Sequence, residues 1–224
     1  MCSFFNSKFV SYRVLLGVVA VPLMALILAS CESGGGGGIA DGHDFGDNNP
    51  DLYIAFGDSI TYGYGLSDYN ESYPVRLSVM LGKPVGNEGV AGDRSADGFS
   101  RVGMVLRSHK PGYLLIMFGS NDLIHRWSQT YTIANLRGII QAARNNKTIP
   151  VIATIPPAFA GHQFIAGSVV SLNEQIRELA NEENVPIVDV ERELNGKPDL
   201  FIDGLHPNAE GHAIIAASFN DRLK

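Results

Sequence analysis

Leu52-Tyr53-Ile54-Ala55-Phe56-Gly57-Asp58-Ser59 is the stretch on which the fold turns. Its apolar residues run without alternation and stop at a glycine, an acid and a small hydroxyl residue. An unbroken run of that length suits a strand covered on both faces, and the residues after it suit a turn into a helix. Similar runs recur at 113–118, 149–155 and 185–190, with a weaker one at 84–87. Apolar residues at helical spacing fill 73–81, 96–107, 132–145, 169–183 and 208–223. Continuous apolar strands that alternate with amphipathic helices build a parallel sheet with helices on both sides. The expectation is an α/β fold, a three-layer α/β/α sandwich on a five-stranded parallel sheet, spanning 51–224 as one domain. A chain of 224 residues leaves no room for a second domain of that size.

The sequence before this domain reads differently. Lys8 and Arg13 precede an almost wholly apolar run at 14–28, which ends in Leu28-Ala29-Ser30-Cys31. That order is the grammar of a secretory signal. The run is shorter than the ~20 apolar residues that cross a bilayer, and Pro22 interrupts it. An uncleaved membrane anchor is the alternative reading. Leu28-Ala29-Ser30-Cys31 resembles the lipobox of bacterial lipoproteins. The resemblance implies that 1–30 is a signal peptide and that Cys31 is lipidated, which anchors the chain to a membrane without spanning it. Glu32 after the cysteine resembles the pattern of outer-membrane sorting, so an exported protein on the periplasmic side is expected. Residues 31–50 are rich in Gly, Asp and Asn and read as a flexible tether. His43 stands among Asp41, Asp44 and Asp47, but the spacing does not fit a calcium-binding loop.

Composition excludes several classes. The formal net charge is −6, and there is no basic cluster. Nucleic acid is therefore not an expected partner, because phosphate contact needs grouped Lys and Arg. Cys2 and Cys31 are the two cysteines. On the reading that the lipobox resemblance implies, one leaves with the signal and the other is acylated, so a domain with neither a disulfide nor a thiol nucleophile is expected. No group of side chains has metal-ligand spacing, and no metal or other cofactor is expected. A monomer is expected.

In open parallel sheets, ligands sit beyond the carboxyl ends of the strands. Four segments there carry chemistry. Ser59 follows the first run in Gly57-Asp58-Ser59, and alone it reads as well as a helix cap. Gly89, Gly92 and Ser95 lie in Asn87-Glu88-Gly89-Val90-Ala91-Gly92-Asp93-Arg94-Ser95, which alone could be a strand-to-helix turn. Asn121, in Gly119-Ser120-Asn121-Asp122, could donate its amide N–H to a developing oxyanion, or form a turn. Asp203 precedes His206 by three residues in Asp203-Gly204-Leu205-His206-Pro207, a spacing that lets a carboxylate curl back onto the ring. The G-x-S-x-G elbow of the larger α/β-hydrolases is absent from the sequence.

The four segments, in this order and each at a strand end, resemble the GDSL (SGNH) hydrolase family. The motif residues are matched by Ser59, Gly92, Asn121 and His206, and the resemblance runs from about residue 52 to the end. It implies a flavodoxin-like sheet. It also implies Ser59 as nucleophile, His206 as general base and acid, and Asp203 as the group that holds the ring. The oxyanion hole would be the Ser59 and Gly92 N–H groups and the Asn121 side chain. Gly89 is read as a packing or turn glycine, Asp58 as structural, and Asp122 as an aid to Asn121. His212 is read as helix surface or a helper of the His206 loop. His125 and His162 fall in expected substrate loops without a role. Those loops, 61–72, 123–131 and 156–167, carry Tyr62, Tyr64, Tyr69, Trp127, Phe159 and Phe164, which suit an acyl or aryl group or plain packing. Compact bacterial members of the family are arylesterases, acyl-CoA thioesterases and lysophospholipases. A small-molecule ester substrate with a short or medium acyl chain is expected. A carbohydrate deacetylase and a non-catalytic ligand-binding lipoprotein are the alternatives.

Overall fold

The computed structural model describes residues 38–224. The signal peptide expected over 1–30, the lipid site expected at Cys31 and the first part of the expected tether lie outside the described residues.

The described chain is an α/β fold. Strands β1 (Asn49–Gly57), β2 (Val85–Gly89), β3 (Pro111–Met117), β4 (Ile149–Ala153) and β5 (Ile187–Val188) form one sheet in the order β2-β1-β3-β4-β5. Every pairing is parallel. This is the doubly wound, flavodoxin-like order. The central strands are the ones with unbroken apolar runs, and β3 and β4 are buried along their whole length. The weak run near residue 85 becomes an edge strand and is only half buried.

Eight α-helices are present among the described residues: α1 (Ser59–Tyr62), α2 (Tyr73–Leu81), α3 (Ser95–His109), α4 (Ser120–Ile124), α5 (Gln129–Asn145), α6 (Ala166–Glu182), α7 (Val190–Leu194) and α8 (Ala209–Leu223). The five long ones match the five helical patterns of the sequence. Helices α2 and α8 pack together on one face of the sheet. Helices α3, α5 and α6 pack side by side, as the other layer. Each of the long helices turns a stripe of buried residues inward, such as Val102, Val105 and Leu106 of α3 and Leu172, Ile176 and Leu179 of α6. The three short helices have no apolar period to announce them. Each is a single turn at a strand's carboxyl end, and in α1 and α7 an aspartate at the N-cap captures a free backbone N–H. Asp58 does so for α1, accepting from the Ile60 N–H at 3.0 Å.

One segment differs from the sequence expectation. From Gly38 onward the expected tether lies against the domain. Phe45 packs on the core and meets Tyr113 with ring centroids 5.9 Å apart. Asp44 pairs with Lys147 at 2.6 Å, the His43 ring bonds the Lys147 carbonyl at 3.1 Å, and the Asn48 amide donates to the Asn146 carbonyl. Asn49 already belongs to β1. A polar, glycine-rich composition hid one aromatic anchor and a set of side chains that bond the loop ahead of β4. This stretch holds no metal-like cluster among the described residues.

Candidate active site

The four chemical segments meet at the carboxyl ends of β1, β2 and β3 and on the loop before α8. Ser59 opens α1 directly after β1 and is 7% exposed. Gly57 must be glycine, because a Cβ there would stand 2.0 Å from Thr61 Oγ1 and 2.6 Å from the Met117 carbonyl oxygen. Gly89 likewise lets β2 approach α1, where a Cβ would fall 2.1 Å from the Tyr62 nitrogen. It is a close-packing glycine, as expected.

Ser59 Oγ lies 3.0 Å from His206 Nε2. His206 Nδ1 lies 2.7 Å from Asp203 Oδ2. An imidazole that gives its Nδ1 hydrogen to a carboxylate leaves Nε2 free to accept the serine proton. Asp203 Oδ1 also accepts from the Leu205 N–H at 3.0 Å and the His206 N–H at 2.8 Å. Partial burial pushes this carboxyl up, but the bonds from the His206 backbone, its ring and the Leu205 backbone outweigh that and hold it at about 2. Asp203 is therefore a carboxylate at any working pH. The loop that carries the pair is itself tied down. The Phe159 N–H donates to the Gly204 carbonyl at 2.7 Å, and the Ile202 N–H to the His206 carbonyl at 2.8 Å. His162, without a role in the sequence, bonds the Asp203 carbonyl at 3.2 Å and helps to hold this loop.

The expected anion donors sit beside the serine. Gly92 has φ +87° in the turn closed by the bond from the Asp93 N–H to the Val90 carbonyl. The Val90 N–H in turn donates to the Gly57 carbonyl at 3.1 Å, which keeps this turn against the strand end that carries Ser59. The Gly92 N–H has no acceptor among the described residues. Asn121 Nδ2 donates one hydrogen to the Asp93 carbonyl at 2.9 Å, and an amide has a second to give. Asp122 does not bond Asn121's side chain. It is buried and accepts from the Ser95 N–H and hydroxyl and from the Thr132 hydroxyl, joining α3, α4 and α5 beneath the site.

One residue stands differently from its sequence reading. His212 is not on the surface. It is fully buried, and its Nδ1 accepts from the Tyr73 N–H at 3.2 Å at the start of α2. Burial, with Arg76 and His206 nearby, pushes it down to about 4, so the ring is neutral. The signal was present in the spacing, because 212 shares a helical face with the buried Ile215, Ala216 and Phe219. Asp58 is structural as expected, but wholly enclosed. Burial pushes its carboxyl up to about 7, against the pull of the Ile60 N–H and with the Asp122 and Asp93 charges adding to the rise.

Around the opening the aromatics divide. Tyr64 covers His206 at 4.7 Å between ring centroids, and Tyr62, Trp127 and Phe164 are about half exposed or more. Trp127 and Phe164, with Leu123, Arg126 and Ile165, border an open cavity of about 370 Å³. Phe159 instead packs edge-on against Phe201. His125 ends α4 on the exposed side and bonds nothing through its ring among the described residues.

A serine, a histidine and a carboxylate hydrogen-bonded in series, at the carboxyl end of a doubly wound sheet and beside free backbone donors, define the class of serine hydrolases. Residues 55–214 match the model of the GDSL-like Lipase/Acylhydrolase family. The chain belongs to that family and is an esterase/acylhydrolase of it. It is 27% identical over 176 residues to the thioesterase 1/protease 1/lysophospholipase L1 of Escherichia coli, covering 74% of this chain and 80% of that one. It is 25% identical over 170 residues to an arylesterase of Vibrio mimicus, covering 73% and 83%. Among solved structures, a lipase/acylhydrolase from Enterococcus faecalis superimposes with a TM-score of 0.67 at 26% identity, over 77% of this chain and 97% of that one.

Proposed function

We propose that the protein cleaves carboxylic esters of short or medium acyl chains, or aryl esters, through an acyl-Ser59 intermediate. The observation that carries this is the bonded series of Ser59 Oγ, His206 and Asp203, at 3.0 and 2.7 Å. As Ser59 Oγ bonds the carbonyl carbon, its proton passes to His206 Nε2. Asp203 holds the resulting imidazolium by its Nδ1–H. The oxyanion is met by the Ser59 and Gly92 N–H groups and the free amide hydrogen of Asn121. Collapse breaks the bond to the leaving oxygen, which takes the proton from His206. Water then gives a proton to His206 and attacks the acyl carbon, and the bond to Ser59 Oγ breaks as His206 returns that proton to it, releasing the acid. Substrate and water balance the reaction.

Lysophospholipids and thioesters fit the same chemistry, and the names of the relatives support them as substrates to test. The half-exposed aromatic rim supports an open site rather than a deep lipid tunnel. The test is to assay p-nitrophenyl esters of increasing acyl length with the wild type and Ser59→Ala. The wild type is expected to be active, and the variant to lose on the order of 10⁴–10⁶ in kcat. An inactive wild type or an active variant overturns the reading. Activity on acetylated glycans, with none on longer acyl esters, would make it a deacetylase.

We also propose that the chain is an exported lipoprotein anchored through Cys31, supported by Leu28-Ala29-Ser30-Cys31. Globomycin-sensitive processing, abolished in Cys31→Ala, is the expected result.

A further inference from the structure

Arg101 lies on the inward face of α3, three residues after Gly98 and four before Val105, both buried. Its side chain is 16% exposed. Three backbone segments converge on its guanidinium. Nε donates to Asp93 Oδ2 at 2.7 Å. Nη2 donates to the Gly57 carbonyl at 3.1 Å and to the Glu88 carbonyl at 2.9 Å. Nη1 lies 3.7 Å from Glu88 Oε2, and the planar group rests 4.3 Å from the centroid of the Phe56 ring.

Two of these contacts, those to Gly57 and Asp93, lead to the oxyanion donors. Gly57 ends β1 two residues before Ser59. Asp93 is bonded to Gly92 in the chain. The Asp93 carbonyl is the acceptor that fixes Asn121 Nδ2. Two carbonyl oxygens and a carboxylate crowd together here, beside the place where an ester oxygen must become negative. Without a cation among them they would repel one another and the oxyanion too. A planar guanidinium can bond several such acceptors in fixed directions, which an ammonium cannot do. Oxyanion donors act only when they are held in place before the charge develops.

We propose that Arg101 is a positioning residue of this site, holding the Gly92 N–H and the Asn121 amide at the oxyanion without touching substrate. This rests on the acyl-transfer reading of Ser59. The test is a double-mutant cycle on a p-nitrophenyl ester, with thermal unfolding of each variant as a control for folding. Arg101→Lys keeps the charge and loses the fork. It is expected to lower kcat by about 10- to 100-fold with KM within about twofold. In the Asn121→Ala background the same change is expected to cost several-fold less than in the wild type, because one of the two donors it positions is already gone. Should Arg101→Lys fail to fold, Asp93→Asn removes the partner charge, leaves the backbone carbonyl, and is expected to show the same non-additive loss. Full loss in both backgrounds, unchanged kcat, or a rise in KM alone overturns the positioning role. An active Ser59→Ala would bring down the acyl-transfer reading and this proposal with it. An inactive Ser59→Ala with an additive cycle removes the positioning role alone.

Discussion

Asp203 and His206 set the residue scale. With its carboxyl held at about 2, Asp203 stays ionised and keeps the hydrogen of the ring on Nδ1. Asp203→Asn preserves the shape but offers the ring an amide, which can favour the wrong tautomer. The expected outcome is a fall of about 10⁴ in kcat with little change in stability, measured by ester hydrolysis and thermal unfolding. At this scale the sequence spoke unevenly. Ser59, Asn121, Asp203 and His206 were legible because chemistry fixes their types, and four motifs in order outweigh one. Arg101 was not, because a lone arginine in an amphipathic helix resembles a solvated one. Its one signal is position: it shares a face with Gly98 and Val105, where a charge has no business unless it has partners. His162 was visible only as a lone histidine, since its acceptor is a carbonyl on a distant loop.

At the scale of elements, long runs were legible and single turns were not. The five long helices each repeat an apolar period. Helices α1, α4 and α7 span five residues or fewer, too short to show one. The stretch over 38–48 misled for a related reason. Its composition is that of a linker, and one aromatic decides its fate. Phe45 is only partly buried, so Phe45→Ala is expected to lower stability by about 1–2 kcal/mol, less than the ~3–5 kcal/mol of a fully buried phenylalanine. Denaturant unfolding would show this as a lower midpoint at unchanged slope, with kcat unaffected, because the segment touches nothing near Ser59 among the described residues. An unchanged midpoint would mean that the segment adds nothing to the fold.

Across the whole molecule, buried titratable groups set the pH range of the fold. His212 stays neutral in the fold down to about 4, whereas an unfolded chain protonates it near 6.5. The unfolded state therefore binds more protons over that window, and stability is lost as pH falls through it. Asp58 works from the other side. It keeps its proton in the fold up to about 7 and loses it near 3.8 when unfolded, so rising pH costs stability between those values. His212→Gln is expected to flatten the acid limb of unfolding temperature against pH between about 6.5 and 4. An equally steep limb in the variant would assign the acid loss to other groups. The three-layer architecture was legible from the alternation of runs and helices, and the sheet is the one expected. What the pattern could not express is how tightly polar groups are enclosed beneath the site, because burial of a single side chain depends on layers far apart in the chain.

The docked segment gives the molecule two ends with different uses. Asn49 bonds Lys110, and the stretch before it bonds Asn146 and Lys147, all at the amino ends of the parallel strands. Ser59 and His206 lie at the carboxyl ends. The amino-terminal pole is thus a handle and the other a working face. Fixed to a bead or a sensor chip by its amino end, the protein would present its opening outward to the flowing solution, while a tag placed beside Ile202 would crowd it.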